Sequence, residues 1–381
     1  MTKMDFEDIR PYNNLEFKAA YLRLLEYRGF QEAMAMFLPD YPISQFRQNL
    51  GNFNTVEEVQ CDLDKRFVDV FIAQSSKGAD LSGIENIDEN EAYMFIGNHR
   101  DITLDPALLE YYFFVENRNT SRIAVGDNLY STPVLNEVAK LNKMIKVKRT
   151  GTMREKLENS HTLAAYIQQS LFEDNESVWI AQRDGRTKDG NDYTKHGLVK
   201  MITLGNDQNL METIRRMKIT PVTVSYEFEP CDKLKARELA ISEHTVYQKQ
   251  PGEDFNSIKQ GIFGQKGHMS LTIGTPIESE LDAIPENLSN NDKINLVCQL
   301  IDKQIYKNYT LYSTNYIAHD MLHQDEMYHE HYTDAEKTSF EHYLQTQSQV
   351  PDVSAEKMLE ILLKIYATPV DNYYKTISEE N

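Results

Sequence analysis

Apolar positions in the opening segment recur at helical spacing. Leu15, Ala19, Leu22 and Leu25 share one face, and Met34, Met36 and Phe37 extend the pattern to Pro39, which predicts a small helical domain over residues 1–85. A polar run at 85–91 then leads into Tyr93 to Ile96, short, apolar and ended by Gly97, as a buried strand would be. Further strand-like runs follow at 123–125, 145–147, 178–181, 219–226 and 269–273, alternating with helix-like runs at 106–115, 133–141 and 154–172. Such alternation predicts an α/β domain over 86–275, a mainly parallel or mixed sheet flanked by helices. Pro221 in the 219–226 run is expected at the start of its strand or on an edge, because proline cannot donate to a ladder. Beyond Pro276, Ile294, Val297, Ile301 and Ile305, and later Met358, Leu359, Leu362 and Ile365, return to helical spacing, giving a C-terminal helical extension over 276–381.

Charge narrows the possible partners. The chain of 381 residues carries a formal charge of −19, so its average field repels nucleic acid and anionic bilayers, and any bound anion must meet a local basic patch. Residues 276–381 hold 19 Asp and Glu against seven Lys and no Arg, which makes this region the poorest place for a phosphate. Three scattered cysteines offer neither a disulfide framework nor a paired metal motif, and no apolar run approaches the roughly 20 residues that span a bilayer. The expectation is a cytoplasmic protein, with membrane contact at most peripheral on the inner face.

Candidate chemistry gathers in four blocks. In the first, Phe95-Ile-Gly-Asn-His99-Arg-Asp101-Ile-Thr-Leu-Asp105-Pro, a histidine follows a strand in a polar turn before a helix, where open α/β sheets present reactive groups. An aspartate bonded to one ring nitrogen would fix the tautomer and let the other nitrogen act as base. Asp101 and Asp105 both qualify, and either could instead cap the coming helix, Asp105 with Pro106 in the first helical position. The second block, 140–156, places seven cations, Lys146, Lys148 and Arg149 among them, against the single acid Glu155. In the third, a strand runs into Arg183-Asp184-Gly185-Arg186-Thr-Lys188, whose glycine lets backbone approach a phosphate that the guanidinium fork can grip. The fourth is the strand Ile219 to Tyr226. His319 and His323, four apart on a predicted helix, could share a metal, but a solvated acidic helix is the simpler reading and no metal is expected.

In this order and spacing the blocks resemble the glycerophosphate acyltransferase superfamily over roughly residues 90–275, and most of all its bacterial 1-acylglycerol-3-phosphate acyltransferase branch, whose members carry a segment like Phe6-Glu-Asp-Ile-Arg-Pro-Tyr12. Asn98 and His99 match the start of the family's Asn-His-x4-Asp motif, although the aspartate position is Leu104, with Asp105 one later and Asp101 three earlier. The run from Ile145 to Arg149 loosely matches the second motif, Asp184, Gly185 and Arg186 the third, and Thr220, Pro221 and Val222 the fourth. The resemblance implies transfer of an acyl group from acyl-CoA or acyl carrier protein to a hydroxyl of glycerol-3-phosphate or lysophosphatidate, with His99 as general base and Asp105, or Asp101, as its partner. Arg149 and Arg186, helped by Arg100, Lys146, Lys148, Arg183 and Lys188, would hold the phosphate, and no cofactor beyond the thioester donor is implied. The same fold could serve another lipid or amine acceptor, or be a non-catalytic homologue that binds a lipid or a phosphate.

Overall fold

The computed structural model describes residues 5–206, 209–250 and 252–379. Four helices open the chain, α1 (Phe17–Glu26), α2 (Arg28–Phe37), α3 (Ile43–Asn49) and α4 (Val56–Ser75). Their apolar faces meet around Phe17, Tyr21, Leu24, Met34, Phe46 and Leu63. α4 starts from a reciprocal cap in which Thr55 and Glu58 satisfy each other's backbone N–H groups. The strand β1 (Gly78–Ser82) follows inside the segment that the pattern assigned to helices. Its Gly-Ala-Asp-Leu-Ser sequence has no β-branched or aromatic residue, so nothing local marked it. It is a strand because it pairs in parallel with a segment nearly two hundred residues away, at the sheet edge.

The α/β core then runs β2 (Met94–Gly97), α5 (Leu104–Val115), β3 (Arg122–Gly126), α6 (Pro133–Leu141), β4 (Met144–Val147), α7 (Met153–Phe172), β5 (Val178–Ala181), α8 (His196–Ile202), α9 (Leu210–Arg216), β6 (Ile219–Tyr226), α10 (Asp232–Ser242), α11 (Glu253–Phe263) and β7 (His268–Ile273). The sheet order is β1-β7-β6-β2-β5-β3-β4, parallel throughout except where β7 lies antiparallel to β6. Strand side chains alternate between two cores: Met94, Ile96, Val178 and Ile180 face one layer with α7, α8 and α9, while Phe95, Trp179, Val222 and Val224 face the other with α5. Pro221 lies in an interior strand, contrary to the edge expectation, and paired with Ile96. Its carbonyl accepts from Gly274 N at 2.8 Å, so its ring nitrogen points to the same side, past the end of β7, where no ladder bond is due.

Four helices close the chain, α12 (Asn290–Lys307), α13 (Ser313–His323), α14 (Asp334–Gln347) and α15 (Ala355–Ser378). α12 packs into the sheet's first layer through Ile294, Val297 and Ile301. The other three share a core of Ile317, Phe340, Leu344, Leu362 and Tyr366. Among the described residues no helix is long and apolar enough to cross a membrane.

Candidate active site

Topology makes the crevice. From the end of β2 the chain crosses into α5 on one face of the sheet, and from the end of the adjacent β5 it crosses into α8 and α9 on the opposite face. Two neighbouring strands whose exits part in this way leave a cleft at their carboxyl ends, and His99 follows one of them while Arg183 and Arg186 follow the other. The two loops are tied directly, since Gln182 N donates to Gly97 O at 2.8 Å and Thr187 N to His99 O at 2.6 Å.

His99 lies at the surface of this cleft, its side chain 15% exposed, with Nδ1 3.0 Å from Asp105 Oδ2. The same Oδ2 accepts the backbone N–H groups of Arg100 at 2.7 Å and Asp101 at 2.8 Å, and Oδ1 accepts the Tyr226 hydroxyl at 2.9 Å. With both carboxylate oxygens already serving as acceptors, Nδ1 carries the proton and Nε2 is left with its lone pair. The helix-capping role falls to Asp101 instead, whose Oδ1 accepts from Thr103 N and Leu104 N at 2.8 Å each, so α5 starts at Leu104 and Asp105 is its second residue rather than its cap. Asp101 Oδ2 is buried and has no hydrogen-bond partner among the described residues. α11 lies directly over it: a Cβ on Gly261 would come within 2.1 Å of that oxygen, so only glycine permits the approach.

The cations divide into two kinds. Arg100 points inward and is 5% exposed, bonded to Asp192 through Nε at 2.9 Å, to Glu229 through Nη1 at 3.1 Å and to Gly190 O at 3.2 Å. Burial works against its charge, but Asp192 and Glu229 outweigh that and hold the guanidinium well above its ordinary value. Lys146 and Lys148 reach Asp8 of the N-terminal segment, which draws the Asp8 carboxyl below its usual range, and Lys188 pairs with Glu238. These four are therefore occupied by protein carboxylates.

The arginines of the cleft are freer. Arg149 stacks over Gly126 at the end of β3, where a Cβ would come within 3.1 Å of its guanidinium, and it lies 3.7 Å from Asp184, a half-exposed cation beside a carboxylate that is 92% exposed. Arg183 covers the Tyr193 ring at 4.9 Å, and its Nε and Nη1, Arg186 Nη1 and both amide atoms of Gln182 are buried without a hydrogen-bond partner among the described residues. Gly185 between them takes a positive φ of 68°, which turns the backbone so that both arginines can flank the same loop. Arg186 also reaches the Cys231 thiol, which burial raises, with Asp101 adding to the rise and Arg186 and Lys235 opposing it. The Thr187 N to His99 O bond thus sets the arginine loop directly against the histidine loop.

Sequence reasoning passed over several of these partners. Tyr226 ends the fourth block and reads there only as a core residue, yet it completes the Asp105 environment. Asp192 and Glu229 carry no local signal at all, because their role depends on a buried arginine about a hundred residues earlier. Asn98, quoted in the first block, bridges strands: its amide donates to Asp192 and to Val224 O, and its carbonyl accepts from Val224 N.

Residues 79–226 match the family described as Acyltransferase. Among solved structures, the chain is similar to the 1-acyl-sn-glycerophosphate (LPA) acyltransferase PlsC from Thermotoga maritima, at 13% identity over 75% of this chain and 94% of that one, with a TM-score of 0.35. No curated protein matches it. The matched segment 79–226 holds the strands from β2 to β6 and both loops of the cleft.

Proposed function

We propose that the protein moves a fatty acyl group from a thioester, acyl-CoA or acyl carrier protein, to a hydroxyl of glycerol-3-phosphate or lysophosphatidate. The observation that carries this reading is the His99–Asp105 pair at 3.0 Å, set beside a loop of under-bonded arginines in the same cleft. Nε2 of His99 takes the proton of the acceptor hydroxyl as its oxygen attacks the thioester carbonyl. The tetrahedral intermediate then collapses, the thiolate leaves, and the proton returns from the imidazolium to the solvent or the thiolate. Arg186 and Arg183 bind the acceptor phosphate and so hold its hydroxyl at attacking distance, the larger part of the rate gain. Phe255 and Phe263 are exposed on α11, the helix whose Gly261 covers Asp101, and offer an acyl chain or a lipid surface an apolar approach to the cleft.

A matrix of donors and acceptors tests the reading: release of free thiol should require an acceptor bearing both a phosphate and a free hydroxyl. Equal rates with unphosphorylated glycerol lipids would instead favour another acceptor class. Arg186→Ala should raise KM for the phosphorylated acceptor by about ten- to hundredfold, a lost charge-assisted contact of about 1.5–3 kcal/mol, with little change in KM for the donor. Tyr226→Phe removes one donor from Asp105 and is expected to lower kcat by about tenfold without shifting either KM.

A further inference from the structure

The region richest in acid also holds the densest group of histidines. His319 and His323 stand one turn apart on α13 with ring centroids 4.4 Å apart, and Asp371 reaches across from α15. One ring nitrogen of each histidine and one carboxylate oxygen of Asp371 lie within 4.8 Å of one another. His319 Nε2 is 3.4 Å from Asp371 Oδ1, and two ligands held at about 2.1 Å on a tetrahedral ion stand about 3.4 Å apart.

A second feature points the same way. His319 is 7% exposed, and its Nδ1 is buried with no hydrogen bond among the described residues, a costly state for an imidazole nitrogen. Asp320 Oδ1 lies only 3.5 Å from it, and Asp320 is itself fixed by the Tyr328 backbone N–H and the Tyr332 hydroxyl. A carboxylate behind one nitrogen of a histidine, with the other nitrogen facing further ligands, is the arrangement that orients imidazole toward a metal ion. Tyr328 packs edge-on against the His319 ring at 4.8 Å and limits its rotation. His323 and Asp371 are exposed, which leaves a side open for water as fourth ligand.

We propose that His319, His323 and Asp371 bind a divalent transition-metal ion of the zinc type, clamping α13 to α15, with Asp320 orienting His319. Imidazole and carboxylate donors in a tetrahedral arrangement select zinc over calcium or magnesium, and the surplus of acid over base in residues 276–381 draws a cation toward the site. The clamp bears on the cleft through α15. Asn372, next to Asp371, donates to Asn191 Oδ1 at 3.2 Å, and a Cβ on Gly190 would meet Ile365 O at 2.3 Å, so α15 backs the loop that leads away from Arg183 and Arg186.

Chelator-stripped full-length protein titrated calorimetrically with zinc sulfate should take up one ion per chain at micromolar concentration or below, and cobalt(II) in its place should show the intense visible bands of four-coordination. His323→Ala and Asp371→Asn, both at exposed positions, should each weaken binding by at least about tenfold, no less than the loss of an outer-shell partner costs. His329→Ala with His331→Ala should leave it unchanged. Absence of uptake by the folded wild type, uptake undiminished in the His323 and Asp371 variants, or loss of uptake in the His329 and His331 variant would each overturn the proposal.

Discussion

His99→Ala is expected to lower kcat by about 10²–10⁴-fold, the usual contribution of a positioned general base, while KM for donor and acceptor and the thermal midpoint stay close to wild type. The stability half of this expectation follows from position. The ring sits at the rim of the cleft, and its one hydrogen-bond partner among the described residues, Asp105, keeps two backbone N–H donors and the Tyr226 hydroxyl when the imidazole is removed. No buried carboxylate is stranded, so the fold has little reason to weaken. Asp105→Asn should lower kcat over a similar range for a different reason. An asparagine keeps its amide oxygen toward Nδ1 and the Arg100 and Asp101 N–H groups but removes the negative charge that stabilises the imidazolium formed when Nε2 takes the proton. Asp105 also holds the turn at Arg100 and Asp101, so this variant should melt earlier, which separates it from His99→Ala in a thermal scan. Steady-state thiol release checks both, and a His99→Ala protein with undiminished turnover would remove histidine from the chemistry.

Much of this cleft was legible before any coordinates, for a physical reason. Strands buried on both faces are continuous apolar runs, and those at 123–125, 145–147, 178–181, 219–226 and 269–273 reappear within a residue of β3 to β7. A strand that leads into a polar, glycine-containing turn announces the carboxyl edge of an open sheet, which located His99, Arg183 and Arg186. Other features were hidden because they depend on contacts remote in sequence. β1 has the composition of a loop and exists through pairing with β7. The basic run 140–156 read as one anion site, but Lys146 and Lys148 are matched to Asp8, Lys143 is buried between Glu57 and Glu176, and Arg149 alone of the second-block residues singled out as phosphate ligands turns toward the Asp184 loop. Spacing tells which residues share a segment, and only packing tells which acid each cation answers.

Arg100 shows the difference most sharply, and its removal carries the largest expected effect on stability. Adjacent to His99 in sequence, it read as a phosphate ligand, yet its guanidinium is enclosed between Asp192 and Glu229. Arg100→Met keeps the length of the side chain and deletes the charge, so two buried carboxylates lose a counterion. Breaking a pair of this kind costs about 3–5 kcal/mol, and the denaturant midpoint should fall accordingly. Glu229 retains Lys235, whereas Asp192 retains neutral donors such as Asn98 and Tyr309, so the deficit should be concentrated on Asp192. The pH dependence identifies it. In the wild type burial opposes the Asp192 charge but Arg100 foremost keeps its pKa below the ordinary carboxylate value, so its contribution is present above about pH 4 and is lost as the pH falls through the depressed value. Without Arg100, burial dominates and raises the folded-state pKa above the unfolded one. Folding then takes up a proton, and the variant gains stability as the pH falls through that raised value toward the unfolded one. The gap between wild type and Arg100→Met should therefore narrow from pH 8 to pH 5, and Asp192→Asn in the same chain should recover part of it. Equal urea midpoints at both pH values, together with a raised KM for the phosphorylated acceptor, would return Arg100 to the substrate.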